Sequence, residues 1–438
     1  MTVPPPTRIL LLGGGFAGLA VARALEQALP PDGSVEATLI SRDNYLLFTP
    51  MLAEVATGQL QPRHIAVPLR AFLRRVRVWQ GEATGVDLQR RVVAIRDVVS
   101  GRQSAVPYDQ LVLALGAVAS FHHVPGAATY SLPFKRLSDA VRIHDRVIDC
   151  FEQAAVEPDP DRRRMLLTFV VAGGGLAGVE LAAALADFLR ETRRFFPSLR
   201  GEPLRLVLAH HGPRLLEELS EAAAAYTLRL LRQEGIAVRL ATAVTRVAED
   251  GVELAPAENT SASVRIPTHT VLWTAGVAPH PLIAALPVPR DQHGAVVVDE
   301  HLAVKDQPGL WALGDCAHIP APQGGAYAPL AQNAEREGPV VAHNVLATLR
   351  GAPLRAFDYQ PVGTLASLGS CTAVGEVFGL HFSGLPAWLL WRTVYLAKLP
   401  GLNRKVRVGL DWALDLAFPP DVVATHYYAA GPSPPPRA

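Results

Sequence analysis

The sequence predicts an α/β chain with two strand–turn–helix units of the Rossmann type and an apolar helical segment near its C-terminal end. Three observations predict it. An apolar strand followed by G-x-G-x-x-G occurs near residue 10, the same arrangement recurs near residue 170, and Trp388, Trp391, Tyr395 and Trp412 crowd the last part of the chain. At 438 residues there is room for two to four domains with large cores.

The first unit is Ile9–Leu12, then Gly13-Gly14-Gly15-Phe16-Ala17-Gly18, then a helical Leu19-Ala20-Val21-Ala22. The second is Leu166–Ala172, then Gly173-Gly174-Gly175-Leu176-Ala177-Gly178, then Val179-Glu180-Leu181-Ala182. In such a motif the first glycine permits a tight turn, the second lets backbone N–H groups approach a pyrophosphate, and the third lets helix pack on strand. The positive end of the helix then faces the phosphates. One copy is weak evidence, because a glycine-rich turn need hold nothing. Two copies, each between a strand and a helix, predict two bound dinucleotides. Phe16 and Ala17 in the first motif, and Leu176 and Ala177 in the second, fall within the expected phosphate-binding turns.

A second strand should end on an acid for the ribose hydroxyls. Here the first such strand, Val35–Ile40, ends on Ser41-Arg42-Asp43, and the second, Leu204–Ala209, ends on His210-His211 with Arg214 nearby. Ser41 and Arg42 are the expected ribose-side residues of the first unit, with Asp43 either substituting for the acid or lying in a surface loop. His210 takes that place in the second unit, and the missing acid leaves NADH and NADPH both open. Strands 108–115 and 270–275 close on Gly116 and Gly276, where a chain can cross beside a cofactor. Leu310–Leu313 ends in Gly314-Asp315, and an aspartate there can accept from the ribitol hydroxyls of a flavin.

Composition narrows the field. Lys and Arg number 41 against 40 for Asp and Glu, and no basic block is long enough to track a nucleic-acid backbone, so no nucleic-acid partner is expected. Cys150, Cys316 and Cys371 form no C-x-x-C pair, which argues against a disulfide framework, a dithiol centre and a zinc ribbon. The pairs His122-His123 and His210-His211 have a spacing that splits side chains, and no metal is expected. The prolines of 1–8 do not read as a signal peptide, no run of about 18 apolar residues reads as a span, and the chain reads as intracellular.

Residues 385–399 are strongly apolar and carry Arg392 and Lys398. After Pro400-Gly401, Val406, Leu410, Leu414 and Ala417 fall at helical spacing opposite Asp411 and Asp415, behind Arg404, Lys405 and Arg407. Two amphipathic helices with tryptophans and a basic cluster suit the surface of an anionic bilayer. A packed or dimerising subdomain is the competing reading, so a homodimer is also allowed.

Taken in order, these segments resemble the FAD-dependent pyridine-nucleotide oxidoreductases, and within them the type II NADH dehydrogenases, single-subunit NADH:quinone oxidoreductases that pump no protons. The resemblance covers nearly the whole chain. It includes Phe48-Thr49-Pro50-Met51-Leu52, Glu54-Val55-Ala56-Thr57-Gly58, Leu272–Val277, Ala331-Gln332-Asn333-Ala334, Trp388-Leu389-Leu390-Trp391-Arg392 and Asp411-Trp412. It implies that Gly13, Gly15 and Gly18 hold the FAD pyrophosphate and Asp315 its ribitol. It implies that Gly173, Gly175 and Gly178 hold NADH, with Glu180 near its ribose and nicotinamide as a catalytic residue. Ala331 and Gln332 would sit at the flavin edge where quinone binds, Gln332 being the second catalytic residue. Pro50, Arg336 and Lys398 complete the expected quinone set, Lys398 serving equally well as a lipid-headgroup contact. The family's further glutamine is absent, and Glu335-Arg336-Glu337 stands there instead.

The residues around Gln332 point to the same place. Pro329 precedes a plausible helix from Ala331 to Leu349, whose N-terminus could stabilise negative charge on a reduced flavin. A helix-start glutamine facing water is the plain alternative. The expected division is an FAD part at 1–125 and 281–350, an NAD(P)H domain at 126–280, a membrane-anchoring or dimerising region at 351–430, and a disordered tail at 431–438. The expected enzyme is peripheral on the cytoplasmic face of the cell membrane. Its rivals are a sulfide:quinone oxidoreductase, which needs a cysteine pair, a soluble ferredoxin- or rubredoxin-type reductase, which needs no membrane foot, and a flavin redox sensor without turnover.

Overall fold

The structure, a computed structural model, describes residues 5–259 and 262–426. The tail predicted at 431–438 lies outside them. The two glycine motifs each sit where expected: β1 (Thr7–Leu12), α1 (Phe16–Ala28) and β2 (Val35–Ser41), then β3 (Thr168–Ala172), α2 (Leu176–Thr192) and β4 (Arg205–Ala209). Three later helices follow: α3 (Ala331–Arg350), α4 (Gly384–Lys398) and α5 (Leu402–Asp415).

The chain divides into two units. The first comprises, among the described residues, 5–47, 66–118 and 277–361. The second comprises, among the described residues, 48–65, 119–259, 262–276 and 362–426. Segment 48–65 therefore groups with the second motif, where a division at 125 places it with the first. The C-terminal region groups with that unit too, because Trp388, Trp391 and Trp412 are buried there and supply part of its core.

In the first unit a seven-stranded sheet runs in the order Leu310–Ala312, Gln110–Leu113, β1, β2, Arg77–Asp87, Val92–Asp97, Gln103–Pro107. β1 is an interior strand parallel to both neighbours, with Leu12 level with Ile40 and Leu113. Covered on both faces, it reads as the unbroken apolar run Ile9–Leu12, each residue buried. α3 crosses α1 closely: a Cβ on Gly338 would lie 2.7 Å from the Val21 amide nitrogen, so only a bare residue fits there. Gly351, at φ +64, ends α3 in the left-handed conformation that glycine adopts readily.

In the second unit a five-stranded parallel sheet has the order Ser131–Pro133, Thr270–Trp273, β3, β4, Ala237–Arg239. Val170, Val207, Val271 and Trp273 join one buried cluster. A three-stranded antiparallel sheet, Gly363–Ser367, Ala373–Val377 and Leu380–Ser383, carries α4 on it.

Two helices form in the tail, α4 one residue before the expected 385 and α5 two residues before the expected Arg404, but their faces differ from expectation. The tryptophans point inward, Trp391 to 1% exposure, instead of outward to an interface. Asp411 and Asp415 of α5 face the unit, while Val406, Leu410 and Leu414 remain more than half exposed. The physical reason lies in their partners. Asp411 Oδ2 sits 2.5 Å from His64 Nδ1, and the Arg392 guanidinium lies 3.9 Å from the Trp388 ring centre and 4.7 Å from that of Trp412. Those contacts need the polar face of α5 turned in. Among the described residues no helix is long and apolar enough to cross a membrane.

Candidate functional site

In the first unit β1 ends in a turn at Gly13, with φ +110, where a side chain would collide with the Ala114 carbonyl oxygen. A Cβ on Gly18 would collide with the Gly13 carbonyl, so the third glycine lets α1 close on its own turn. In front of Gly15 nothing lies within 4 Å of a Cβ position, and Gly15 caps α1 without a side chain. The start of α1 at Gly15 thus faces open space beside a positive helix end. This is the fit a pyrophosphate requires.

Ser41 lies beneath the turn, its Oγ 2.6 Å from a Cβ position on Gly14 and donating to the Asp43 carbonyl at 2.7 Å. The Arg42 guanidinium pairs with the Asp43 carboxylate at 2.8 Å. Gly116, at φ +64, accepts from the His280 amide. The turn Gly314–Cys316 comes against the start of α1, a Cβ on Gly314 lying 3.0 Å from that of Ala17. The structure therefore brings the first glycine turn and Gly314-Asp315 together, as the flavin reading requires.

Glu337, on α3, was not singled out from the sequence as a site residue. It is buried and accepts from the Gly314 amide at 2.7 Å, fixing that turn. Burial pushes its carboxyl up to about 7, against the Gly314 N–H, which favours the charged form, and with Asp315, which opposes it. Ala331 and Gln332 are half-exposed in the first turn of α3, whereas Asn333 is buried and donates to the Ala328 carbonyl. Arg336 stands 5.7 Å over the Tyr359 ring.

The second unit repeats the cradle. Gly173 has φ +111 with Thr274 Oγ1 at 2.7 Å from a Cβ position, and a Cβ on Gly178 would collide with the Gly173 carbonyl. Gly175 is open except for Glu218 Oε1 at 3.7 Å. Leu176 is half-buried and Ala177 exposed at the start of α2. His210 lies beneath this turn as Ser41 does in the first, with the Gly174 amide donating to its Nδ1 at 3.1 Å. Gly276 has φ +133, and the His122 ring, bonded at 2.8 Å to the Ala275 carbonyl, occupies the space a side chain would need.

Glu180, four residues into α2, lines a cavity of about 180 Å³ within the second unit. Pro50, Glu54, Trp391, Arg392 and Asp415 line it too. Glu180 Oε1 accepts from the Ser367 amide at 3.0 Å, and Glu54 Oε1 accepts from the Trp412 indole at 3.1 Å. Glu54 Oε2, Trp391 Nε1 and Arg392 Nε are buried with no hydrogen-bond partner, which marks the cavity as polar. Burial pushes Glu180 up to about 8, helped by Glu54 and opposed by the Ser367 N–H. Burial also pushes Glu54 up to about 7, against Arg392 and Trp412. Glu54 and Arg392 were legible only as parts of quoted motifs, since no spacing rule joins residues 54, 180 and 392. Lys398 is exposed at the end of α4 and does not line this cavity.

The carboxyl pair has a consequence for stability. Folded Glu54 and Glu180 keep their protons to about pH 7 and 8, whereas unfolded carboxyls release theirs near 4.5. The folded chain therefore binds more protons across that window, and their contribution is lost as pH rises through it. Glu54→Gln removes one of the two groups. Its urea midpoint should fall less than the parent's between about pH 5.5 and 8; equal falls would contradict the assignment.

A model of the pyridine nucleotide-disulphide oxidoreductase family matches residues 7–338, and the NDH2 C-terminal domain matches 362–418. A type II NADH:quinone oxidoreductase of Mycobacterium tuberculosis is 31% identical over 426 residues, covering 94% of this chain and 89% of its own length. A demethylphylloquinone reductase of Synechocystis sp. is 33% identical over 412 residues, with 92% and 95% covered. The structure of NDH2 from Plasmodium falciparum in complex with NADH superposes with a TM-score of 0.86 over 95% of this chain and 99% of that one; at 20% identity this is a likeness of fold. The chain belongs to the pyridine nucleotide-disulphide oxidoreductase family and, within it, to the type II NADH:quinone oxidoreductases.

Proposed function

We propose that the chain takes hydride from NADH through FAD and delivers two electrons to a membrane quinone without pumping protons. The observation that supports this most directly is the pair of glycine turns, each followed by a helix whose N-terminus carries no side-chain cap. In this reading Gly13, Gly15, Phe16, Ala17 and Gly18 hold the FAD pyrophosphate. Asp315, Gly314, Gly116, Ser41 and Arg42 line the rest of the flavin nucleotide, with Ala331 and Gln332 at its ring. Gly173, Gly175, Leu176, Ala177, Gly178, His210 and Gly276 line the NADH site. Bound FAD supplies the two-electron carrier between donor and acceptor.

The protein's share is placement and charge. The positive end of α3 favours an anion near Gln332. Glu337 holds the Gly314-Asp315 turn through a backbone amide. Glu180 and Glu54 line one cavity, where burial raises the proton affinity of both carboxyls. Pro50, Gln332, Arg336 and Lys398 remain the proposed quinone set. NADPH is the alternative donor.

The exposed row Val406, Leu410 and Leu414, with Lys398 and Arg407 exposed on the same pair of helices, supports a foot on an anionic bilayer at the cytoplasmic face. Each leucine returned to lipid is worth roughly 2 kcal/mol. A V406S/L410S/L414S variant should lose flotation with anionic liposomes while still bleaching its flavin with NADH. Undiminished flotation would remove the foot, and a parent that stays at the bottom of the gradient as a dimer would give that face to a second copy.

Gln332→Leu should slow quinone reduction by about ten-fold, the cost of a hydrogen bond to a developing charge, and leave flavin reduction by NADH within about two-fold. Single-turnover rates of the two half-reactions decide it. Equal loss in both would remove Gln332 from the acceptor site.

A further inference from the structure

A unit of the second kind ordinarily ends its second strand on an acid that accepts from the adenosine ribose hydroxyls. β4 ends on His210 instead, and the imidazole does not face outward to replace the acid. Its Nδ1 accepts from the Gly174 amide, which places the ring proton of the neutral tautomer on Nε2. That Nε2 is buried and has no hydrogen-bond partner.

The unpartnered atom points at one place. A Cβ on Gly212 would lie 2.8 Å from His210 Nε2 and would collide with Glu217 Oε1. Gly212 is bare, so the Glu217 carboxylate folds back into that space, with Oε1 3.5 Å from Nε2. Half of the Glu217 side chain, 49%, remains exposed. The carboxylate thus lies against a buried ring fixed under the glycine turn on one side, and is open on the other. Arg214, the loop's arginine, is turned away to the Glu217 and Leu219 carbonyls at 3.0 and 3.2 Å. Burial, with His211 edge-on at 4.9 Å, holds His210 below the usual histidine range, so no cation forms beneath the carboxylate near neutral pH.

We propose that Glu217 supplies the ribose acceptor that β4 lacks and makes the second cradle select the dinucleotide without a 2′-phosphate. This rests on the reading that the second unit holds the nicotinamide dinucleotide. A carboxylate accepts from the ribose hydroxyls, whereas a 2′-phosphate brings close to two further negative charges against it. His210 is a positioning residue, since it reaches the ribose only through Glu217. Opposing this selection are His211 and Arg239, exposed at the ends of β4 and of the neighbouring strand.

The test is calorimetric titration of the FAD-loaded full-length chain with NAD+ and with NADP+. The parent should bind NAD+ at least about ten-fold more tightly. Glu217→Gln should weaken NAD+ roughly ten-fold, the scale of a hydrogen bond to a charged group, and tighten NADP+. The preference should then disappear. Glu218→Gln, whose carboxylate sits at Gly175 where both dinucleotides place their pyrophosphate, should move both affinities together and keep their ratio. A Glu217→Gln protein with the parent's ratio overturns the proposal and leaves the second cradle standing. So does a parent that binds NADP+ as tightly as NAD+ and loses it in Arg239→Ala. A parent that binds neither overturns the reading of the cradle, and this inference with it.

Discussion

A strand that turns into a helix through a bend with no room for side chains is the constraint on which both units depend. Gly13 and Gly173 hold the bend at strongly positive φ, and Gly18 and Gly178 let the helix close over it. What remains exposed is backbone N–H at a positive helix end, and that binds phosphate whatever nucleotide carries it. Selectivity between nucleotides therefore comes from what surrounds the turn. In the first unit the turn stands beside Gly314-Asp315, tied down by Glu337, which we propose faces the flavin. In the second it stands beside the strand end with His210 and the loop carrying Glu217, which we propose faces the ribose.

A second constraint shapes the C-terminal helices. Arg392 lies over two tryptophan rings and shares one partly polar cavity with Glu54 and Asp415. Burying this set fixes which face of α5 turns inward, and it leaves leucine and valine outside. An isolated soluble unit gains nothing from that arrangement, since exposed apolar rows are costly in water. It becomes favourable where an apolar medium covers the row. The same cavity holds Glu180 and Glu54 with raised proton affinity, so interior charge and outer apolar face come from one packing solution.

Much of this was legible in the sequence, for physical reasons that differ by element. Both cradles were readable because a pyrophosphate site demands glycine at fixed offsets after an apolar strand. The helix at Ala331 was readable from its start and its composition, and it runs to Arg350 within one residue of the expected end. The faces of α5 were not, because a period of 3.6 says which residues share a side but not which side is inward. Glu54, Glu180 and Arg392 meet only through folding, and so do Gly212, Glu217 and His210. Segment 48–65 gives no compositional sign of the unit it joins, since nothing in residues 48–65 records the partners they find in 119–276 and 362–426.

The central claim is that two dinucleotide sites act in series. Anaerobic stopped-flow mixing of the flavin-loaded chain with NADH, followed by a short-chain quinone, tests it most directly. The account predicts fast bleaching of the flavin by NADH and fast recovery of its absorbance on adding quinone. Bleaching without recovery would contradict the acceptor and point to a soluble reductase. No bleaching with NADH or NADPH would contradict the donor site and leave the second cradle without a catalytic role.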